Sequence, residues 1–194
     1  MKSIALFIFL VLGLQNAMAQ QVDDIPAVGS HFRLFTVEKN ENPENILVLF
    51  TKVDANCHFK EEGNSPIFDM YWLMNRSSYK PTHSLIKNGV KERLQLIPTN
   101  PDSFFVQIND LKEVNSDLND RRMTVTTDKV QGQCKVRSTL NLGPSDKYAK
   151  IQLSSIYSES VKIITPPFYK LKSVTLNGVD VNTGAKVSRK YLAK

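Results

Sequence analysis

Ser65-Pro66-Ile67-Phe68-Asp69-Met70-Tyr71-Trp72-Leu73-Met74-Asn75 is the stretch that decides how the rest of the chain is read. It is the densest apolar run after residue 20 and carries the single tryptophan. With a period of two, Phe68, Met70, Trp72 and Met74 share one face, and Ile67, Asp69, Tyr71 and Leu73 share the other. Both faces are largely apolar, which predicts a central strand covered on both sides. Met70, Trp72 and Met74, with Phe104 further on, are the candidate lining of a core or pocket. Pro66 stands at the start of the run, where a missing N–H is tolerated, and Asn75-Arg76-Ser77-Ser78 closes it with turn chemistry. Asp69 is a possible buried acid. Its structural alternative is a charge at a sheet rim or one paired with a Lys or Arg.

Outward from this strand, alternation recurs without an amphipathic helix of useful length. His31 to Lys39 and Ile46 to Val53 read as two strands joined across Asn40–Asn45, a hairpin with a long loop. Val90 to Ile97 alternates until Pro98-Thr99-Asn100-Pro101 breaks it, and Ser103 to Ile108 resumes. Asn109 to Asn119 is the one place for a short helical turn. Arg122 to Thr127 follows, and then Cys134, Val136, Ser138 and Leu140 face the core while Lys135, Arg137 and Thr139 face out. Later strands run through Ala149, Ile151 and Leu153, and from Val161 to Thr165. Tyr169 and Leu171 keep one register and Val174 and Leu176 the other, which predicts a bulge near Lys172 or Ser173. Asn177-Gly178 carries a two-residue hairpin signal, and Thr183-Gly184 marks a further turn before Val187 to Tyr191. Strands at this spacing predict an all-β fold, a single-domain antiparallel β-sandwich or β-barrel.

The first residues read as a targeting signal. Lys2 precedes the apolar Ile4–Leu14, and Ala17-Met18-Ala19 predicts cleavage before Gln20. The expected organisation is therefore a signal peptide over 1–19, a flexible lead-in over 20–30 and one β domain over 31–194. No later stretch reaches the roughly 20 apolar residues of a transmembrane anchor. Export to a periplasmic or extracellular space makes a disulfide between Cys57 and Cys134, the two cysteines of the chain, the expected state. Such a bridge contributes roughly 4 kcal/mol on a chain-entropy argument. A reactive thiol at Cys57 beside His58 is the rival reading, but sequence neighbours on a strand point opposite ways.

Chemistry-bearing motifs are sparse. His31, His58 and His83 lack metal-ligand spacing, and there is no nucleophile elbow, phosphate loop or dinucleotide fingerprint. Neither a cofactor nor a catalytic set is expected. Charge is distributed unevenly. Residues 20–120 carry a net −5 and residues 121–194 a net +10. Basic and aromatic side chains interleave at Tyr169, Lys170 and Lys172, then at Arg189 and Lys190, a candidate surface for an anionic ligand or partner. In an exported protein that partner is expected to be a lipid, a polysaccharide or an acidic protein, and not nucleic acid. A solvated basic face with no partner explains the same residues.

Two segments also carry a family resemblance. The run from Leu34 through Tyr71-Trp72, with Asn64-Ser65-Pro66-Ile67-Phe68-Asp69-Met70-Tyr71-Trp72 at its centre, resembles a bacterial exported family catalogued as domain of unknown function 4833. The closing Leu176-Asn177-Gly178-Val179-Asp180 with Thr183-Gly184 resembles it too, so the similarity spans roughly residues 32–191. It implies a bacterial, exported, single-domain protein and brings no activity or catalytic residues. Three readings of function follow. The first is a non-catalytic binding module for an amphiphilic or anionic ligand. The second is an envelope interaction or structural protein using the basic C-terminal face, and the third and weakest is a hydrolase with dispersed residues.

Overall fold

The computed structural model describes residues 31–75, 77–81, 94–100, 103–108, 122–143, 150–163 and 169–193. Alternating side chains separated by polar turns give these residues thirteen strands and no helix. They are β1 (His31–Lys39), β2 (Ile46–Lys52), β3 (Glu61–Glu62), β4 (Ser65–Pro66), β5 (Phe68–Met74), β6 (Ser78–Pro81) and β7 (Leu94–Asn100). Then come β8 (Ser103–Ile108), β9 (Arg122–Val130), β10 (Gln133–Asn141), β11 (Lys150–Lys162), β12 (Tyr169–Asp180) and β13 (Lys186–Leu192).

The main sheet runs β6-β5-β2-β1-β11-β10-β9-β8-β7, with β12 and β13 added beside β11. Its organising strand is β11. Along one edge Lys150–Gln152 pairs with β10 and Ser155–Ser158 with β1, while the other edge pairs with β12 over almost its whole length. Two arms therefore diverge from β11, one through β1 to β6 and one through β10 to β7. Phe35, Leu49 and Met70 of the first arm meet Met123, Val125 and Leu140 of the second, together with Ile151, Leu153, Leu176 and Val187 from the shared strands, in one apolar cluster. The arrangement is sandwich-like, and the sheet does not close into a barrel. Burying each of these large side chains stabilises the fold by roughly 1.5–3 kcal/mol.

The strand expected to be central, β5, lies second from the end of its arm, and it packs apolar side chains on both faces. Phe68 and Met70 are buried in the main cluster, and Trp72 packs against it half-buried. On the opposite face Leu73 joins Ile46, Val48 and Phe50 of the neighbouring β2, with Tyr71 and Tyr79 packed alongside. The rings of Phe50, Tyr71 and Tyr79 meet edge to face at 5.7–6.2 Å. Burial in this cluster raises the Tyr79 hydroxyl above its usual pKa, against a smaller opposing pull from Arg33.

Cys57 and Cys134 are joined, with their Cα atoms 5.4 Å apart across 77 residues of sequence. Cys57 lies in the loop after β2. There the Asp54 carboxylate accepts the Asn56 and His58 N–H groups, and Val53 bridges Phe59. The backbone hydrogen bond from His58, followed by the smaller one from Asn56, holds the Asp54 pKa below its ordinary value against desolvation. The bond thus pins the loop of the first arm to the start of β10 in the second. Cys134, Val136, Ser138 and Leu140 do point toward the core, as their alternation requires.

Several expectations need correction. The sheet is mixed, because β1 and β11 run parallel. Parallel neighbours require a long crossover, and nothing in either strand's pattern announces one. Asn40 extends that ladder past the end of β1, its side-chain amide donating to the Ser160 carbonyl and accepting the Ser160 N–H, both at 2.8 Å. Asn177-Gly178 is not a hairpin. Both residues lie inside β12, opposite a bulge at Ser154. A Cβ on Gly178 would clash with the Gln152 carbonyl oxygen, so glycine is there for close backbone approach. The segments expected around Ile151 and from Val161 are one continuous strand, β11, kept in register by that bulge. Pro98 does not end its strand. It continues to Asn100 on β7, the last strand of that arm among the described residues, where a missing N–H is tolerated.

The predicted slip near Lys172 is present, with Glu159 opposite Ser173 and Ser160 opposite Leu171, leaving Lys172 as the extra residue. A turn that the sequence reading missed joins β9 to β10. Gln131 and Gly132 both take positive φ, 52° and 80°, as a two-residue hairpin demands. The helical turn expected over 109–119, and residues 90–93, fall outside the described residues, as do 1–30. No helix among the described residues is long and apolar enough to cross a membrane.

Candidate functional site

Where β9, β10, β11 and β12 lie side by side, their outward residues form a solvent-open groove of about 520 Å³. The cause is simple alternation. With Met123, Val125, Leu140 and Leu153 committed to the core, Thr124, Thr126, Arg137, Thr139 and Gln152 must face the other way. Strand register then sets them in rows. Thr124 is opposite Thr139, Thr139 opposite Gln152, and Gln152 opposite Val179, one residue from each of four neighbouring strands. Thr126 is opposite Arg137 in a second row, and Lys150, Val181 and Gly184 complete the lining.

The groove is poor in acid and rich in donors. Asp180 is the one carboxylate among its described lining residues, and the Oδ1 of that group is engaged in the β12–β13 turn. It accepts the Asn182 and Thr183 N–H groups at 3.2 and 2.7 Å and the Thr183 hydroxyl at 2.7 Å. These bonds, the Thr183 hydroxyl first, hold its pKa below the ordinary carboxylate value against the effect of burial. Arg137 pairs with Asp128 at 2.8 Å, with both side chains nearly half exposed, so the pair is weak and leaves guanidinium donors for another acceptor. Among the described residues no carboxylate lies within ion-pair distance of Lys150, and Thr124, Thr126, Thr139 and Gln152 make no side-chain hydrogen bond. Exposed apolar surface comes from Val179 and Val181. Among the described residues no nucleophile stands beside a base here, and the arrangement suits holding a ligand.

The sequence-derived candidates are distributed differently. Lys172 and Lys190 are brought together, but onto Glu159, which they grip at 2.7 and 2.8 Å while the Ser173 hydroxyl donates to it at 2.9 Å. The Lys172, Lys190 and Ser173 hydrogen bonds hold the Glu159 pKa down to about 2. Lys170 is exposed opposite Val161. Arg189 lies opposite Leu176 on the core-facing side of β13, away from Lys190. Tyr169 and Phe104 are placed by register alone, opposite Lys162 and Val125. Met70 and Trp72 belong to the packed core, and Met74 is half-buried at the end of β5.

Asp69 is largely buried and doubly paired. Its Oδ2 meets His31 Nε2 at 2.9 Å and Lys52 Nζ at 3.2 Å, and the His31 ring packs edge-on to Phe50 and Tyr71. This tie joins β1, β2 and β5. Among the described residues no group of three or more His, Cys, Asp or Glu side chains is placed to hold a metal ion. The groove itself escaped sequence reasoning. Its only trace was the outward set Arg137 and Thr139, with the Thr124 and Thr126 alternation, which any solvated strand face would also show.

The fold and groove define a disulfide-bridged all-β domain that presents a polar, cation-flanked sheet face. No family model, curated protein or solved structure matches the chain, so the site is read from its own residues.

Proposed function

We propose that the chain is an exported, non-catalytic binding module that holds an anionic ligand on the outer face of β9–β12. The observation that carries this reading is Lys150, which has no carboxylate within ion-pair distance among the described residues, with Arg137 on the other side of a row of threonine hydroxyls and the Gln152 amide. In a binding site such groups supply charge-assisted and neutral hydrogen bonds without reorganising the fold. Export rests on the Lys2–Ala19 segment and agrees with the disulfide. The packed interior favours a surface ligand over an amphiphile held between the arms. A partner docked on Lys172 and Lys190 is disfavoured, since Glu159 already engages both ammonium groups and offsets half their charge.

Fluorescence anisotropy of a trisulfonated pyrene with the full chain tests the reading. Binding is expected to weaken as salt rises, to fall in Lys150→Glu and Arg137→Glu, and to persist in Lys170→Glu. Equal loss in the Lys170 variant, or no binding at low salt, overturns it.

A further inference from the structure

We infer that the anionic ligand is an acidic polysaccharide, a chain of ring sugars bearing carboxylate or sulfate groups, laid across the strands of β9–β12. This rests on the groove being the anion site, and it adds the chemistry of what lies there. The row Thr124–Thr139–Gln152–Val179 crosses three inter-strand gaps. At about 4.8 Å each, the row is about 14 Å long. A phosphate or a single headgroup needs only a focus of donors, whereas a row of this length matches an extended ligand.

The lining also has the mixed character of a sugar. Threonine hydroxyls and the Gln152 amide both donate and accept, as ring hydroxyls require, and Val179 and Val181 offer apolar surface to a C–H face. The cations are spaced apart. Lys150 belongs to β11 and Arg137 to β10, on opposite sides of Thr139 and Gln152 in the sheet's pairing. Cations on both edges of the row complement anionic groups that project from either side of a chain laid along it, which one concentrated charge does not. An open groove further allows the middle of a polymer to lie in it with both ends free.

The test titrates the full chain with polygalacturonate, dextran, polyglutamate and phosphatidylglycerol vesicles, side by side with the trisulfonated pyrene. Polygalacturonate is expected to bind at least about tenfold tighter than polyglutamate at equal charge, and dextran not measurably. Lys150→Glu should weaken polygalacturonate about tenfold or more, and Thr139→Val, at a half-buried position, several-fold, with unchanged near-ultraviolet circular dichroism as the check on folding. Equal affinity for polyglutamate overturns the proposal in favour of an acidic protein or mere charge, and a preference for vesicles overturns it in favour of lipid. Pyrene binding at the groove without polygalacturonate binding refutes the polysaccharide alone. Loss of both refutes the anion site as well.

Discussion

Replacing both Cys57 and Cys134 by alanine removes the disulfide cross-link between the two arms, and its effect can be worked out from the fold. The bond closes a loop of 77 residues. On the chain-entropy relation a loop of this length restrains the unfolded chain by about 4.5 kcal/mol. Part of that is offset in the native state, because Cys57 is held at φ 70°. The left-handed region costs a residue with a side chain roughly 1–2 kcal/mol, some of which is recovered when the loop is freed. The expected net loss is about 3 kcal/mol, or a fall in Tm of about 6–12 °C for a domain of this size. Urea unfolding followed by Trp72 fluorescence reports it directly, since that ring packs against the core and is the only tryptophan. The m-value should rise as well, because the uncrosslinked unfolded chain exposes more surface. A loss below about 1 kcal/mol with m unchanged, in a variant that keeps native near-ultraviolet circular dichroism, would refute the argument that the bridge acts on the unfolded ensemble.

Four further outcomes are expected. Gly178→Ala should destabilise by about 2 kcal/mol or more, since its Cβ would meet the Gln152 backbone. Gly132→Ala, strained at φ 80° but facing open space, should lose only about 1 kcal/mol in the same urea assay. Asp69→Ala should lose about 1–3 kcal/mol, and a double-mutant cycle with His31→Ala should return a coupling above about 0.5 kcal/mol; additive effects would mean that the contact is idle. Glu159 has a pKa lowered in the folded state, from 4.5 to about 2, so its stabilising contribution is complete above about pH 4.5 and is lost as pH falls toward 2. Thermal melts of Glu159→Gln against the parent chain should therefore differ most at neutral pH and converge near pH 2, and a difference that persists there would contradict the Lys172–Lys190 clamp.

Much of the strand framework was legible because alternation is a local property. β1 was expected over its full observed span, and the bulge at Lys172 could be read from a phase change between Leu171 and Val174. The inward face of Cys134, Val136, Ser138 and Leu140 followed from the same period. The failures share a cause. Asn177-Gly178 looked like a turn because the close approach of Gln152 is invisible in sequence. The Gln131-Gly132 turn was passed over because glutamine seldom takes the left-handed conformation that the hairpin imposes on it. The basic C-terminal surface was read from residues that are neighbours in the chain, whereas Glu159 on another strand decides how much of their charge is free.

By itself the sequence determined an all-β chain, a strand around Trp72 with apolar side chains on both faces and a cysteine pair able to bridge, because side-chain period and residue chemistry are written locally. Tertiary structure alone decided that β11 would fork between two arms, that β1 would lie parallel to it, and that threonines from separate strands would line up beside Lys150. Pairing partners and register depend on which distant strands bury their apolar faces together, and no short window of residues contains that free energy.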